Sequence, residues 1–194
     1  GTQAIGLMAV RILGGMHRSR QIVTPQGMDT RPTRSMVREA VFNILQGQVA
    51  GSQVLDLFAG SGAMGLEALS RGADRAVFCD RQQAAIQAVR ENLRRLHLED
   101  AAQVLKADWQ QAIRQLQAHG QQFHLIFLDP PYKMEAEPVL SALVAAGLLD
   151  QEGSIILEQT AGAAPWLPDS LELQQQRRYG QTHLFLITHK GEPA

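Results

Sequence analysis

The sequence contains very little cysteine and no motif of metal-ligating side chains. Cys79 is the only cysteine among 194 residues, so an intramolecular disulfide is excluded and we expect a reducing compartment, the cytoplasm. The six histidines are scattered along the chain, with neither an HExxH motif nor a Cys/His cluster. We therefore expect no bound metal.

Long apolar runs are lacking as well. No run approaches the roughly 20 residues that span a bilayer, and no basic segment of the kind that begins a signal peptide precedes the first apolar stretch. We expect no membrane association, and Met8 is a candidate native start, with residues 1–7 an added or extended N-terminus.

The 45% of hydrophobic and 19% of charged residues are typical of one globular domain. We expect a monomer, because a chain of this length buries its own core.

Acidic residues are scarce in the first 50 positions. This segment has six arginines and two acids, a net charge of +4, whereas the remainder has 12 basic and 17 acidic residues, a net charge of −5. Such asymmetry between segments indicates a polyanionic partner. An arginine-rich surface that is merely solvated gives the same count, so charge leaves both interpretations open.

From Gln53 onward, short apolar runs alternate with longer amphipathic ones. The pattern predicts strands at 53–58, 75–80, 102–107, 123–129 and 153–159 and helices at 64–72, 82–98, 109–120 and 137–149. In the second helix the apolar residues recur at three- and four-residue steps, as on one face of a helix. Alternation of strands and helices indicates βαβ units, hence an α/β fold with a mainly parallel sheet and helices on both faces.

Both ends of the chain depart from this alternation. Residues 171–190 contain two strand-like runs with no room for a helix between them, which predicts a C-terminal antiparallel hairpin. Near the N-terminus, VRILGG and RQIVTP favour a small β-ribbon, and residues 31–47 favour a helix with Pro32 in its first turn. We predict a basic N-terminal extension over 1–50 and a doubly wound domain over 51–194.

A glycine-rich loop follows the first strand of the alternating region. Residues 60–65, GSGAMG, match the pattern GxGxxG between a strand and a helix, where glycines let the backbone approach a ligand and helix N–H groups face it. Asp80 ends the next strand, where a carboxylate can accept hydrogen bonds from ribose hydroxyls. These features predict a cofactor that carries a nucleoside.

Asp56, just before the glycine loop, bears on the identity of that cofactor. A carboxylate repels a pyrophosphate, whereas it attracts a cationic amino group or a sulfonium. We therefore favour S-adenosylmethionine, with its amino acid near Asp56 and Gly60, and keep NAD as the alternative. Asp108, after the third strand and beside Trp109, can accept from an adenine amine or cap the next helix, and the two roles are compatible.

These residues carry a family resemblance. The run DLFAGSGAMGLEAL, the acid after the second strand and DPPY at 129–132 resemble class I methyltransferases that act on amines. The block RILGG…RPT…VREAVFNIL is similar to the RsmD family, bacterial enzymes that methylate the exocyclic N2 of a guanine in 16S rRNA. The similarity runs from Val10 to Lys190. It implies a Rossmann-like methyltransferase fold with a seven-stranded sheet of order 3-2-1-4-5-7-6.

The resemblance also implies roles for particular residues. Asp129 and the carbonyl of Pro130 would accept hydrogen bonds from the amine, Pro131 would orient that carbonyl, and Tyr132 would stack on the guanine. The implied cofactor-binding set is Asp56, Phe58, Gly60, Ser61, Gly62, Asp80, Arg81, Asp108, Trp109 and Asp129. The implied RNA-contacting set is Arg11, Arg18, Arg20, Arg31, Thr33 and Arg34, together with Tyr132.

Two alternative functions stay open on these residues. DPPY alone is shared with enzymes that methylate N6 of adenine in nucleic acid or a glutamine side chain in protein. A non-catalytic assembly factor that binds rRNA and keeps the pocket is the other alternative, although the intact acidic residues and glycine loop argue against it. The expected partner is 16S rRNA or the small ribosomal subunit.

Overall fold

The computed structural model describes residues 10–28, 32–160 and 163–191, and only the backbone of residues 32 and 33. The described chain begins with two short antiparallel strands, β1 (Val10–Arg11) and β2 (Gln21–Ile22), and a helix, α1 (Pro32–Ile44). Then follow β3 (Gln53–Asp56), α2 (Ala63–Ser70), β4 (Arg75–Asp80), α3 (Gln83–Leu96), β5 (Ala102–Lys106), α4 (Trp109–Ala118), β6 (Phe123–Leu128), α5 (Glu137–Ala145), β7 (Leu149–Gln159), β8 (Leu171–Tyr179) and β9 (Thr182–His189).

One seven-stranded sheet forms the centre of the molecule. Its order is β5-β4-β3-β6-β7-β9-β8, in which the first five strands run parallel and β9 pairs antiparallel with both β7 and β8. Counted from β3, this is the order 3-2-1-4-5-7-6, so the predicted topology and the predicted hairpin are confirmed. Strand order reverses between β3 and β6, which opens a crevice at their carboxyl ends.

The two faces of the sheet are covered by different helices. Side chains alternate along each strand, so Phe78 packs on the face covered by α1, α2 and α3, whereas Val77 packs on the face covered by α4 and α5. The segment before α1 adds Ile12 and Ile22 to the first of these clusters. None of the described helices is long and apolar enough to cross a membrane.

The prediction for the end of α5 is wrong. The helix expected over 137–149 ends at Ala145, because Gly147 takes a left-handed conformation with φ of 65° and Leu149 pairs with Phe123 as the first residue of β7. Gly147 is itself a signal for the end of a helix, but the apolar residues on either side of it fit a buried helix and a buried strand equally well, so the start of β7 was not recognised.

A buried carboxylate, that of Glu67 in α2, joins the N-terminal segment to the rest of the fold. It is fully buried and accepts hydrogen bonds at 2.9 Å from the backbone N–H groups of Leu13 and Gly14. Its other contacts are ion pairs with Nε of Arg38 at 3.1 Å and with Nε of Arg71 at 2.9 Å. Four donors thus satisfy a charge that would otherwise be very costly to bury. The division of the chain at residue 50 stays a prediction.

Gly65 should be needed for the packing of α2 against the sheet. A Cβ at this position would overlap the ring of Phe78, which is fully buried in β4. We expect Gly65→Ala to lower the free energy of unfolding by about 2 kcal/mol, because the ring or the helix must shift. Urea unfolding measures this change. Gly191→Ala is the control, since no atom lies within 4 Å of a Cβ there, and equal stabilities of the two variants would contradict the packing argument.

Candidate active site

Five carboxylates lie at or near the carboxyl ends of the five parallel strands. They are Asp56 at the end of β3, Asp80 at the end of β4, Asp108 after β5, Asp129 after β6 and Glu158 near the end of β7. Parallel strands all point the same way, so these acids share one edge of the sheet, at the crevice between β3 and β6. No three His, Cys, Asp or Glu side chains in the described ranges are grouped so that they could hold a metal ion.

The glycine loop is fixed to this edge by backbone hydrogen bonds. Gly60 and Gly62 have φ of 57° and 84°, a conformation that favours glycine. The N–H of Gly60 donates to Oδ2 of Asp80 at 3.0 Å, and the N–H of Gln82 donates to Oδ1 of the same carboxylate at 2.9 Å. A Cβ on Gly60 would lie 2.5 Å from Cε of Met28, so the N-terminal segment covers the loop closely.

Asn92 in α3 holds that covering segment in place. Its Oδ1 accepts from the N–H of Val23 at 2.7 Å, and its Nδ2 donates to the carbonyl of Val23 at 2.9 Å and to that of Ser61 at 3.0 Å. Asn92 is fully buried. One amide side chain therefore bridges the N-terminal segment to the glycine loop, a role that the sequence analysis missed.

A cavity of about 110 Å³ lies between the glycine loop, α1 and the ends of β3, β6 and β7. Its lining includes the predicted residues Asp56, Phe58, Gly60, Ser61, Arg34 and Asp129, joined by Met28, Arg38 and Glu158. The structure thus brings the residue before the glycine loop and the first residue of DPPY to one cavity.

Two of the acids in this cavity are buried. Burial raises the pKa of Asp56 to about 8; the N–H of Gly65, which donates to Oδ2 at 3.1 Å, opposes the shift, and the charges of Asp129 and Asp80 add to it. Burial likewise raises the pKa of Glu158 to about 8, with Asp129 adding to the shift and Arg34 opposing it. Such a site favours a ligand that brings positive charge or hydrogen-bond donors.

Arg34 of α1 lines this cavity. Its Nη2 pairs with Oδ2 of Asp129 at 2.7 Å, and its Nη1 lies 3.6 Å from Oε2 of Glu158. This differs from the expected contact of Arg34 with RNA phosphates, because neighbouring carboxylates attract the guanidinium. The phosphate contact stays a prediction, and it requires the side chain to leave Asp129.

The other predicted cofactor residues lie around the same edge. Oδ1 of Asp108 accepts from the N–H of Gln111 at 2.8 Å and so caps α4, while the proposed contact with adenine stays a prediction. Trp109 and Phe58 are half-buried and pack against the same hydrophobic cluster. Arg81, directly after β4, is exposed.

The predicted RNA-contacting residues are mostly exposed. Nη1 of Arg11 donates to the carbonyl of Ser19 at 2.9 Å, and Nη2 of Arg20 donates to the carbonyl of Arg95 at 3.0 Å. Arg18 is exposed as well. Arg31 and the side chain of Thr33 fall outside the described residues.

A second cleft, of about 520 Å³, opens beside the DPPY residues. Its lining includes Pro130, Pro131 and Tyr132 from the segment after β6 and Glu158, Thr160 and Pro165 from the segment that ends β7. Tyr132 is 81% exposed, so its ring can stack on a flat ligand. Glu158 lines both the cleft and the first cavity.

Glu158 is another residue of this site that the sequence analysis missed, and a signal for it existed. The run GSIILEQ is apolar until it reaches a carboxylate near its end. The same pattern identified Asp56 and Asp80, which also end buried strands.

Comparison with known proteins identifies a family and several relatives. A family model described as conserved hypothetical protein 95 matches residues 10–188. The ribosomal RNA small subunit methyltransferase D of Escherichia coli (strain K12) is 34% identical over 185 residues, which cover 94% of this chain and 91% of the relative. Its counterpart in Haemophilus influenzae is 31% identical over 173 residues, which cover 88% of this chain and 89% of the relative.

Solved structures share the fold. The structure of the Escherichia coli protein yhhF has a TM-score of 0.83 and 30% identity, and the match covers 94% of this chain and 98% of that one. The Thermus thermophilus 16S rRNA N2 G1207 methyltransferase (RsmC) has a TM-score of 0.64 and 24% identity, with 94% of this chain and 50% of that one covered. The latter likeness concerns the fold alone.

The buried Asp56 should make the stability of the ligand-free protein depend on pH. The folded protein keeps a proton on this carboxyl up to a pH of about 8, whereas an unfolded chain loses it near pH 4. The folded state therefore binds more protons in this window, and stability falls as pH rises through it. We expect Asp56→Asn to gain roughly 1–3 kcal/mol over the unmodified protein between pH 5 and pH 8.5.

Urea unfolding at a series of pH values measures this gain. The matched control is Asp74→Asn, which neutralises an exposed acid and should not reproduce this gain. Parallel pH profiles for Asp56→Asn and the unmodified protein would show that the buried carboxyl does not titrate as described.

Proposed function

This chain belongs to the family described as conserved hypothetical protein 95, the RsmD family of S-adenosylmethionine-dependent rRNA methyltransferases, and on that premise we propose that it methylates the exocyclic N2 of a guanine in 16S rRNA. The observation that carries the proposal is the position of DPPY. It begins directly after β6, next to β3 and its buried Asp56. The reacting amine and the cofactor would thus meet at the crevice between these two strands.

The residues around the glycine loop fit a cationic nucleoside cofactor. Asp56 is a buried carboxyl that would lose its proton when a positively charged ligand binds beside it. Gly60 lines the cavity with its backbone and has no side chain to fill the space. On this proposal Asp56 and Gly60 hold the amino-acid part and Asp80 holds the ribose. When bound, S-adenosylmethionine supplies an electrophilic methyl group on a positively charged sulfur.

The DPPY residues would act on the attacking amine. As the nitrogen of an aromatic amine attacks, its N–H groups become more acidic, so fixed acceptors bind the transition state better than the ground state. The carboxylate of Asp129 and the carbonyl of Pro130 are such acceptors. The exposed ring of Tyr132 would stack on the guanine and hold it in the cleft, as aromatic side chains do with unstacked RNA bases.

Arg34 links RNA binding to this step. Its guanidinium occupies Oδ2 of Asp129, the acceptor that the amine requires. An RNA phosphate offers an alternative partner for an arginine. On this proposal Arg34 moves from Asp129 to the RNA backbone as the base enters, which frees the carboxylate only when substrate is present.

Transfer of labelled methyl groups tests the reaction directly. We expect unmodified small ribosomal subunits or free 16S rRNA to gain N2-methylguanosine, and Asp129→Asn to lower kcat by about 100-fold or more because an essential acceptor is lost. Asp100→Asn, at an exposed site in the short 3₁₀ helix Glu99–Ala101, is the matched control and should leave kcat unchanged.

Other products would support other members of the enzyme class. Label in N6-methyladenosine, or in a protein glutamine, would replace the guanine proposal with an alternative amine. Absence of transfer to any RNA or protein, despite tight binding of S-adenosylmethionine and of rRNA, would favour the non-catalytic assembly factor.

The exposed arginines of the N-terminal segment should contribute to RNA affinity alone. We expect Arg18→Ala combined with Arg20→Ala to weaken rRNA binding about tenfold or more and to reduce its salt dependence, because two phosphate contacts are lost. Affinity for S-adenosylmethionine should not change. Filter binding at several salt concentrations and calorimetric titration measure the two affinities.

The matched control removes two exposed arginines elsewhere, Arg75 and Arg114. Arg75 begins β4 and so lies at the opposite edge of the sheet. If this control weakens RNA binding as much as the first double variant, the effect is one of net charge, and the proposed role of the N-terminal segment is wrong.

A further inference from the structure

Glu158 stands beside Asp129 on the neighbouring strand. Strands β6 and β7 run parallel, and Leu128 pairs with Leu157. The residues that follow this pair are Asp129, directly after β6, and Glu158, in β7. Paired strands lie about 4.8 Å apart. Arg34 contacts both carboxylates, at 2.7 Å and 3.6 Å, which shows that the two groups face the same space.

The carboxylate of Glu158 is poorly satisfied by the protein. The residue is 8% exposed, and within the described chain its nearest polar partner is Nη1 of Arg34, at 3.6 Å, beyond the usual range of a hydrogen bond. Its carboxylate lies at the wall of the cavity and of the cleft, where a ligand that supplies donors would give it the hydrogen bonds that poorly solvated polar groups usually have.

The position of Glu158 decides which part of a ligand it would meet. The residue lines both the cavity that contains Asp56 and Asp129 and the cleft that contains Pro130 and Tyr132. Consider a base that stacks on Tyr132 in the cleft and directs an amine to Asp129. The ring atoms next to that amine then lie beside Glu158.

We propose that Glu158 is the specificity-determining residue for guanine and accepts the N1–H of the base whose N2 amine meets Asp129, an inference that rests on the proposed function. In guanine, N1–H lies next to the N2 amine on the same edge, so both are donors. In adenine, N1 is an acceptor. The N1–H donor of guanine favours the ionised form of Glu158, and an ionised carboxylate has acceptors alone. It accepts the N1–H of guanine, whereas adenine N1 carries a lone pair and offers it no proton.

This arrangement separates the roles of the two acids. Asp129 contacts the reacting amine, whereas Glu158 fixes the register of the base so that N2, and no other atom, lies at the reaction centre. A site that hydrogen-bonds one group of a ligand strongly rejects analogues without this group, because its buried acceptor then has no partner.

2-Aminopurine is the substrate analogue that tests the assignment. It keeps the amine at C2 but has an unprotonated N1 and no oxygen at C6. The rRNA fragment that contains the guanine mapped by methyl transfer is prepared in two forms, one with guanine and one with 2-aminopurine at that position. For each, kcat/KM is measured, and binding is followed by fluorescence anisotropy and, for the analogue, by its own fluorescence.

The decisive variant is Glu158→Gln, since its amide can donate to the unprotonated N1 of 2-aminopurine. We expect the variant to lose roughly 10- to 100-fold in kcat/KM with guanine and far less with the analogue, so that the preference for guanine narrows at least tenfold. The C6 oxygen contributes equally to the guanine preference of the variant and of the unmodified protein, so it cancels when these two preferences are compared. Affinity for S-adenosylmethionine and the melting temperature establish that the variant is folded.

Glu135→Gln is the matched control. Glu135 lines the same cleft but is exposed, so its variant should keep the original preference for guanine in both binding and transfer. A narrowed preference in Glu158→Gln alone supports the assignment.

Two results would overturn it, and they differ. Equal losses of Glu158→Gln on both fragments would make Glu158 a structural partner of Arg34 and would leave the proposed function standing. Absence of transfer to the guanine fragment by the unmodified protein, despite normal affinity for S-adenosylmethionine, would overturn the proposed function and this assignment with it.

Discussion

Crowding of carboxyl groups at one edge of the sheet is the constraint on which the rest of the site depends. Parallel strands place their last residues side by side, and here three of these residues, Asp56, Asp129 and Glu158, line one cavity. Burial and mutual repulsion raise the pKa of Asp56 and of Glu158 to about 8. The edge therefore requires cations or hydrogen-bond donors, and Arg34 is the cation that the chain itself brings there.

Helix α1 holds Arg34 at this edge of the sheet because the next turn of the helix is fixed by an ion pair. Arg34 and Arg38 are four residues apart and so share a face of the helix. Arg38 pairs with the buried Glu67 of α2, and Arg34 pairs with Asp129 after β6. One face of α1 thus connects the helix that follows the glycine loop to the residue expected to contact the amine, and the N-terminal segment forms part of the cavity wall.

The sequence predicted the features that depend on local pattern and on topology. Strand–helix alternation and the C-terminal hairpin identified the elements, the family resemblance supplied the strand order, and Asp56 and Asp129 were found because an acid after an apolar strand is conspicuous. Glu67 was not found, because an acid four residues before an arginine on a helix is typical of an exposed ion pair. Its burial depends on Leu13 and Gly14, more than 50 residues away, and no local pattern carries that information.

Buried acids in this cavity also relate stability to ligand binding. Keeping Asp56 and Glu158 away from water disfavours their ionised forms, so the ligand-free protein is less stable at neutral and higher pH than it would be with neutral residues there. A cation near Asp56 and an N–H donor near Glu158 stabilise the ionised carboxylates. Binding of a ligand with these groups therefore restores the stability that the free protein lacks, and such ligands are preferred. A ligand with the wrong charge or a missing donor leaves a carboxylate unsatisfied. The site therefore selects its ligands through the same burial that weakens the fold.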